Sequence, residues 1–338
     1  MLATVEASPQ QWAHALDIAS RAAIAPLPVA PRIVLVAGMG GSGIAGDVAA
    51  VVSAQAGRAA VLPVKAATLP AFVGPDTPVI AVSHSGTTEE TLACVDAAVA
   101  AGAPWAAVTT GGDLAQRAEE TGAAVVALPP GGQPRANLPY LVTGVLGVLT
   151  GWGIVDGALA DLRGVPEHLA GLVQQWSHAV ATDANLAKQL AVALDPFVPL
   201  FYGAHGWTAV AAMRAKCQVN ENAKRPAFWN ELPELDHNEV VGWRLFDDFA
   251  ARLAVVEVRS RADEDAATAR RFEATAELVR PHVGALTAVD VGGPTPLARF
   301  AATVLLLDLV SVHLALLRGE DPTPVEAIVA LKSALSAS

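Results

Sequence analysis

The chain has 338 residues, 53% of them hydrophobic and only 16% charged, with a formal net charge of −11. That length holds two ordinary domains or one large one, and the apolar share supports a substantial core and argues against disorder. The acidic balance argues against nucleic acid, whose binding needs basic stripes that release counterions, but not against a small anion held by backbone amides.

From the N-terminus, "MLATVEASPQQWAHALDIAS" carries acids and no basic region ahead of an apolar block, so no signal peptide is expected. The first half then alternates short β-branched runs with alanine-rich helical stretches. "RIVLVAG" leads to "GIAGDVAAVVSAQAG", "AAVLPVK" follows, and "PVIAVSHSG" leads to "TTEETLACVDAAVAAG". "PWAAVTTGG" leads to "DLAQRAEETG", and "AAVVALP" closes the series. Strands that are continuously apolar and separated by helices predict a parallel sheet covered on both faces.

The second half repeats this rhythm more faintly. "FVPLFYGAHG" leads to "WTAVAAMRAKCQVNENAK", "LAVVEVRS" to "DEDAATARRFEATAELV", and "GALTAVDVGG" to "PLARFAATVLLLDLVSVHLALL". "VIAVSHSGTTEET" and "AVVEVRSRADEDA" match as strand, polar loop and acid-rich helix start, with acids placed where the helix dipole favours them. The most lipid-like segment, "AATVLLLDLVSVHLALLR", is interrupted by Asp308 and His313, so a buried helix is expected rather than a membrane span. Cys94 and Cys217 cannot form a disulfide framework and fit a reduced, cytoplasmic setting. The expectation is an α/β chain of two doubly wound parallel-sheet domains with flanking helices. The first spans residues 1–152 with a leading helix; the second spans 153–338 with linker helices and a C-terminal tail.

"GMGGSGIAGD" follows the first strand, and Gly38, Gly40 and Gly43 satisfy the G-x-G-x-x-G pattern of dinucleotide sites. That fingerprint wants an acid about twenty residues on to hold a ribose, yet no Asp or Glu lies between Asp47 and Asp76. A nucleoside triphosphate loop fails for want of G-K-[ST]. The second loop, "SHSGTTEET", places hydroxyls at Ser83, Ser85, Thr87 and Thr88 ahead of a helix. One hydroxyl serves an ordinary cap; a cluster with helix N-terminal amides suits a terminal phosphate monoester. A phosphorylated sugar is therefore favoured over a dinucleotide, and the expected phosphate set is Gly41 and Ser42 with Ser83, Ser85 and Thr88.

These two loops, with "RANLPY", "CQVNENAKRPAFWNELPELDHNEVVGW" and "LLRGEDPTPVEAIVALK", run in order along nearly the whole chain. Together they resemble the sugar isomerase (SIS) domain proteins, specifically the bifunctional phosphoglucose/phosphomannose isomerase family. The resemblance implies two SIS domains, a homodimer with shared active sites, a hexose 6-phosphate substrate, and neither metal nor nucleotide cofactor.

Moving a proton between C1 and C2 of a sugar phosphate needs a base, a cation or donors for the enediolate, and an acid/base pair to open the ring. Glu221 in "VNENAK" reads alone as a base or a solvated helix glutamate; the resemblance assigns it the base. His237 in "LDHNE" takes from the resemblance the ring-opening role, contributed to the neighbouring subunit. Glu239 reads as an orienting or structural residue. Arg135, in "GGQPRANLPY", reads alone as a surface arginine or as a cation that stabilises the enediolate or holds phosphate; the resemblance favours the site. Lys332 resembles a lysine that assists at the ring oxygen. The chain departs from many relatives at His84 and Thr87 within the hydroxyl loop, at His313, and at Val325, where a threonine is linked to handling the mannose epimer. The competing readings are a non-catalytic sugar-phosphate-binding SIS protein and, further off, an NADP-dependent oxidoreductase.

Overall fold

The apolar runs become strands of two all-parallel sheets in a computed structural model that describes residues 1–245 and 247–336. In chain order, α1 (Leu2–Glu6) and α2 (Ser8–Arg21) precede β1 (Ile33–Gly38), α3 (Gly40–Ala56), β2 (Ala60–Val64) and β3 (Val79–Ser83). Next come α4 (Glu89–Ala100), β4 (Trp105–Thr109), α5 (Gly112–Thr121), β5 (Ala124–Ala127) and α6 (Leu138–Gly151). Short helices α7 (Ala158–Asp161) and α8 (Val165–Trp176) follow, then α9 (Leu186–Leu194), β6 (Val198–Ala204), α10 (Trp207–Ala223) and β7 (Phe228–Leu232). The chain ends with α11 (Asp247–Ala250), β8 (Leu253–Arg259), α12 (Ala266–Val279), β9 (Ala285–Asp290), α13 (Pro296–Leu317) and α14 (Glu326–Ser336).

The first sheet has the order β2-β1-β3-β4-β5 and the second β7-β6-β8-β9. The orders superpose as patterns: β1 answers to β6, β3 to β8 and β4 to β9. In both sheets the strand order reverses at the first strand, which opens a crevice at the carboxyl ends where doubly wound folds bind ligands. Central strands carry no apolar/polar alternation because both faces are covered. Val34, Leu35, Val36 and Ala37 of β1 and all of β3 are buried. The edge strand β7 was not among the runs read from sequence: Asn230 and Glu231 break its apolar character, and Phe228 is 54% exposed.

By contacts the chain divides into two units. The first-sheet unit comprises Ala7–Gly171 and Gly293–Ala301; the second-sheet unit comprises Met1–Glu6, Leu172–Gly292 and residues 302–336. The first has a core of Leu35, Val79, Leu92, Val95, Trp105 and Leu114, the second one of Leu200, Tyr202, Leu253, Val255, Phe272 and Val279. Helix α13 is long and apolar enough to cross a membrane, yet its residues are almost all buried within the protein. The acid that interrupts it is accounted for: Arg214 of α10 forks onto Asp308, with Nε–Oδ1 3.1 Å and Nη2–Oδ2 2.6 Å, so a buried charge is matched in a bidentate pair.

Candidate active site

The first-sheet unit supplies the candidate phosphate site. β1 delivers the chain to α3, whose preceding residue, Met39, offers no side-chain cap. β3 delivers it to Ser83, and one glycine in each of the two segments that follow these strands makes a close approach. Gly86 has φ 72°, and a Cβ there would stand 1.8 Å from the Gly111 carbonyl oxygen, so only glycine fits. Gly41 lies so close to the segment before α6 that a Cβ would be 3.2 Å from the Arg135 Cα.

Not all the clustered hydroxyls face outward. Ser83 is 1% exposed; its Oγ accepts from Gly86 N at 3.1 Å and lies 2.8 Å from Thr88 Oγ1, so this pair ties the turn together. Ser42 is buried and accepts from His84 N at 3.3 Å. Ser85 and Thr87 are exposed, with Ser85 Oγ accepting from Thr87 N (3.3 Å) and Thr87 Oγ1 (3.1 Å). Thr88 opens α4 without a side-chain cap bond. The result is a loop whose inner hydroxyls set its shape and whose outer ones are presented at a helix N-terminus, where amides and dipole favour an anion.

Arg135 sits in a 3₁₀ turn, Pro134–Ala136, between β5 and α6. Although it follows a polar, glycine-rich stretch, it is only 3% exposed, and its Nη1 donates to Gln133 Oε1 at 3.3 Å. A nearly buried guanidinium can stabilise negative charge more strongly than a solvated one. Lys65, at the end of β2, pairs with Asp47 of α3 at 2.5 Å. Burial raises the Asp47 carboxyl above its ordinary range, with Lys65 opposing that shift.

The remaining expected residues belong to the second-sheet unit. Glu221 lies in the last turn of α10, half-buried, between Asn220 and the fully buried Asn222. Those neighbours fix the helix end: Asn220 Nδ2 donates to the Arg225 carbonyl (2.8 Å) and Asn222 Nδ2 to Ser311 Oγ (2.9 Å). Lys224, the left-handed cap at φ 56°, donates from Nζ to the carbonyls of Glu221 and Pro324, both at 2.5 Å. It thereby ties the end of α10 to the approach of α14, which carries Lys332. Helix α14 exposes much of its apolar surface, with Val329, Leu331 and Leu335 each at least 60% exposed.

His237 ends a 3₁₀ turn, Glu234–His237, that follows β7, and its side chain is exposed. The turn is braced on both sides of it. Leu235 is fully buried, while Asp236 accepts from Arg271 Nη1 (3.0 Å) and Thr275 Oγ1 (2.8 Å) of α12. On the other side Glu239 accepts from the Tyr202 hydroxyl and from Asn230 Nδ2 (2.6 Å). Burial, reinforced by the Glu239 charge, pushes the Tyr202 hydroxyl far up, so it stays a donor. Sequence reasoning left Glu239 between orienting and structural roles and missed Asp236, Tyr202 and Asn230. The only local signal was the density of polar residues in "NELPELDHNE". Asn137, which anchors the Arg135 segment, was missed as well. Among the described residues no group of three or more His, Cys, Asp or Glu is placed to hold a metal ion.

Comparison with known proteins bears on the family and the fold. The profile of the family "Bacterial phospho-glucose isomerase C-terminal SIS domain" matches residues 183–335. The bifunctional phosphoglucose/phosphomannose isomerase of Caldicellulosiruptor bescii is 36% identical over 90% of this chain and 89% of its own length. That of Aquifex aeolicus is 34% identical over 88% of each. Among solved structures, the C-terminal domain of glucosamine-fructose-6-phosphate aminotransferase from Francisella tularensis aligns with a TM-score of 0.74. It covers 95% of this chain and 97% of that one, and at 12% identity it speaks for the fold alone. Two parallel-sheet domains of the SIS type, matched in sequence over nine-tenths of their length, place this chain in the bifunctional phosphoglucose/phosphomannose isomerase family.

Proposed function

We propose that the protein interconverts glucose 6-phosphate and mannose 6-phosphate with fructose 6-phosphate through a cis-enediolate. The observation that carries this reading is the approach, in the first-sheet unit, of the segment carrying the nearly buried Arg135 to Gly41 and, through Asn137, to His84 of the open hydroxyl loop. Gly41, Ser42, Ser85 and Thr88 hold the phosphate, with Ser83 shaping their turn. His237 gives a proton to the ring oxygen as O1 loses one, and Lys332 assists at the ring oxygen, leaving the open-chain aldehyde. Glu221 takes the proton from C2 and returns it to C1, while O1 gains and O2 loses a proton. Arg135 stabilises the charge that spreads over O1 and O2 in between. Because the enediolate is planar at C2, the glucose and mannose epimers converge on one intermediate, and a single base serves both once rotation about C2–C3 turns the opposite face of C2 toward it.

A cytoplasmic homodimer with shared sites belongs to the same proposal: each copy lends His237 to the other. The support is its exposed position on a turn that is braced at both ends. Mixing Glu221→Gln chains with His237→Ala chains should then restore part of the activity, and no recovery despite proven subunit exchange would refute the sharing. The test of the function itself is an assay of the purified chain on both aldose phosphates and on fructose 6-phosphate. Turnover of at least one aldose in each direction is expected; binding without turnover would instead make the chain a sugar-phosphate-binding protein.

A further inference from the structure

One histidine outside the expected set joins the two loops that the proposed function relies on. His84 lies between Ser83 and Ser85 and is 7% exposed. Its backbone is fixed from two directions: N donates to Ser42 Oγ (3.3 Å), and the carbonyl accepts from Thr110 N (3.2 Å) and Thr110 Oγ1 (2.7 Å). Its ring reaches the Arg135 segment, where Asn137 Nδ2 lies 2.8 Å from Nε2. The same Nδ2 also lies 3.1 Å from the Gly131 carbonyl and 3.2 Å from the Gln133 carbonyl. Carbonyls only accept, so this end of the Asn137 amide is its NH₂ group. His84 Nε2 must therefore accept, which makes the imidazole neutral with its proton on Nδ1.

We infer that His84 is a positioning residue: through Asn137 it holds the segment 131–137, and with it Arg135, in fixed register with the phosphate loop. The inference rests on the role proposed for Arg135. Gly41 sets the approach of that segment to α3 by steric fit, which by itself does not resist sliding. The His84–Asn137 bond does, between residues 53 apart in sequence. Burial holds the imidazole below its ordinary pKa and so keeps the acceptor available near neutral pH. A guanidinium that must meet charge arising only in the transition state is sensitive to small displacement, whereas phosphate held by the hydroxyls is not. Loss of the latch should therefore appear in turnover rather than in phosphate affinity.

The test compares His84→Phe, which keeps a ring and removes the acceptor, with His84→Gln, whose Oε1 can take the place of Nε2. His84→Phe should lose about tenfold or more in kcat, with KM and inhibition by inorganic phosphate changed by less than about twofold; His84→Gln should recover most of the loss. His84→Phe combined with Asn137→Ser should be no worse than the poorer single variant, because both break one bond. An unchanged kcat in His84→Phe, a Gln variant as impaired as the Phe variant, or losses that multiply in the double variant would each overturn the inference. Should His84→Phe not fold, Asn137→Ser set against His84→Gln decides: the first must lose turnover at unchanged phosphate inhibition and the second must keep it. Arg135→Ala separates the two layers. If it retains full turnover, the role proposed for Arg135 fails; if it is inactive while His84→Phe is normal, only the inference drawn here fails.

Discussion

The loops after β3 and β8 leave equivalent strands of equivalent sheets, yet one is open and the other is closed on itself. After β3, Ser85 and Thr87 face solvent and Thr88 makes no cap bond. After β8, Arg259 forks onto Glu264 (Nε–Oε1 3.0 Å, Nη2–Oε2 2.5 Å) and lies 4.6 Å over the Phe272 ring. There Ser260 Oγ donates to Asp263 Oδ2 at 2.5 Å, and Asp265 caps α12 by accepting from Thr268 N at 2.7 Å. Both sheets offer a crevice at a strand-order reversal, but only the first-sheet loop leaves hydroxyls for a ligand. Topology makes a site possible; the internal pairing of the loop decides whether it is available.

The largest effect should come from opening the closed loop. Arg259 and Glu264 side chains are 7% and 6% exposed, so Glu264→Ala strands a buried guanidinium. The cost should be about 3 kcal/mol, the low end for breaking a buried pair, because the Glu257 charge lies near Arg259. Denaturant unfolding measures it; a loss within about 0.5 kcal/mol, the level of an ordinary surface change, would mean the pairing does not hold this loop. A smaller effect separates the loops by function. Ser85→Ala should raise KM for the hexose phosphate about tenfold, the scale of one hydrogen bond to a charged group, while Ser260→Ala leaves KM unchanged. Equal behaviour of the two variants would erase the distinction between open and closed loops.

The smallest effect concerns pH. Burial lowers the His84 pKa in the folded protein, so as pH falls below about 6.5 the unfolded chain takes up this proton first and stability declines. His84→Gln lacks this contribution. Stability curves of the two proteins from pH 7.5 to 5.5 should diverge by a fraction of the roughly 1.4 kcal/mol per pH unit that one proton can supply. Parallel curves would show that His84 is not held neutral by the fold.

The fold was legible where burial is complete on both faces. Runs such as "RIVLVA" and "VIAVS" have only one reading among helices at regular spacing, and both became central strands. The edge strand β7 escaped because an edge tolerates Asn230 and Glu231, which erase the apolar run. In the site, the hydroxyl cluster was legible as composition. Its division into inner hydroxyls such as Ser83 and outer ones such as Ser85 was not, since it depends on which way a glycine turn points each side chain. The bonds from His84 to Asn137 and from Tyr202 to Glu239 join residues 53 and 37 apart. Such contacts leave no period or spacing in the sequence. Likewise the sequence leaves Arg135 open between a surface arginine and a site cation, and only the folded segment shows it to be buried.

The most direct test of the proposed chemistry is to incubate the protein with fructose 6-phosphate in deuterated water and follow C1 and C2 by NMR. Carriage of the proton by a single carboxylate through an enediolate should place deuterium at C1 of recovered ketose and at C2 of the aldose formed. Glu221→Gln should abolish this exchange by a factor of about 10²–10⁴ while phosphate inhibition persists. Isomerisation that introduces no deuterium, or exchange at the normal rate in Glu221→Gln, would contradict the assignment.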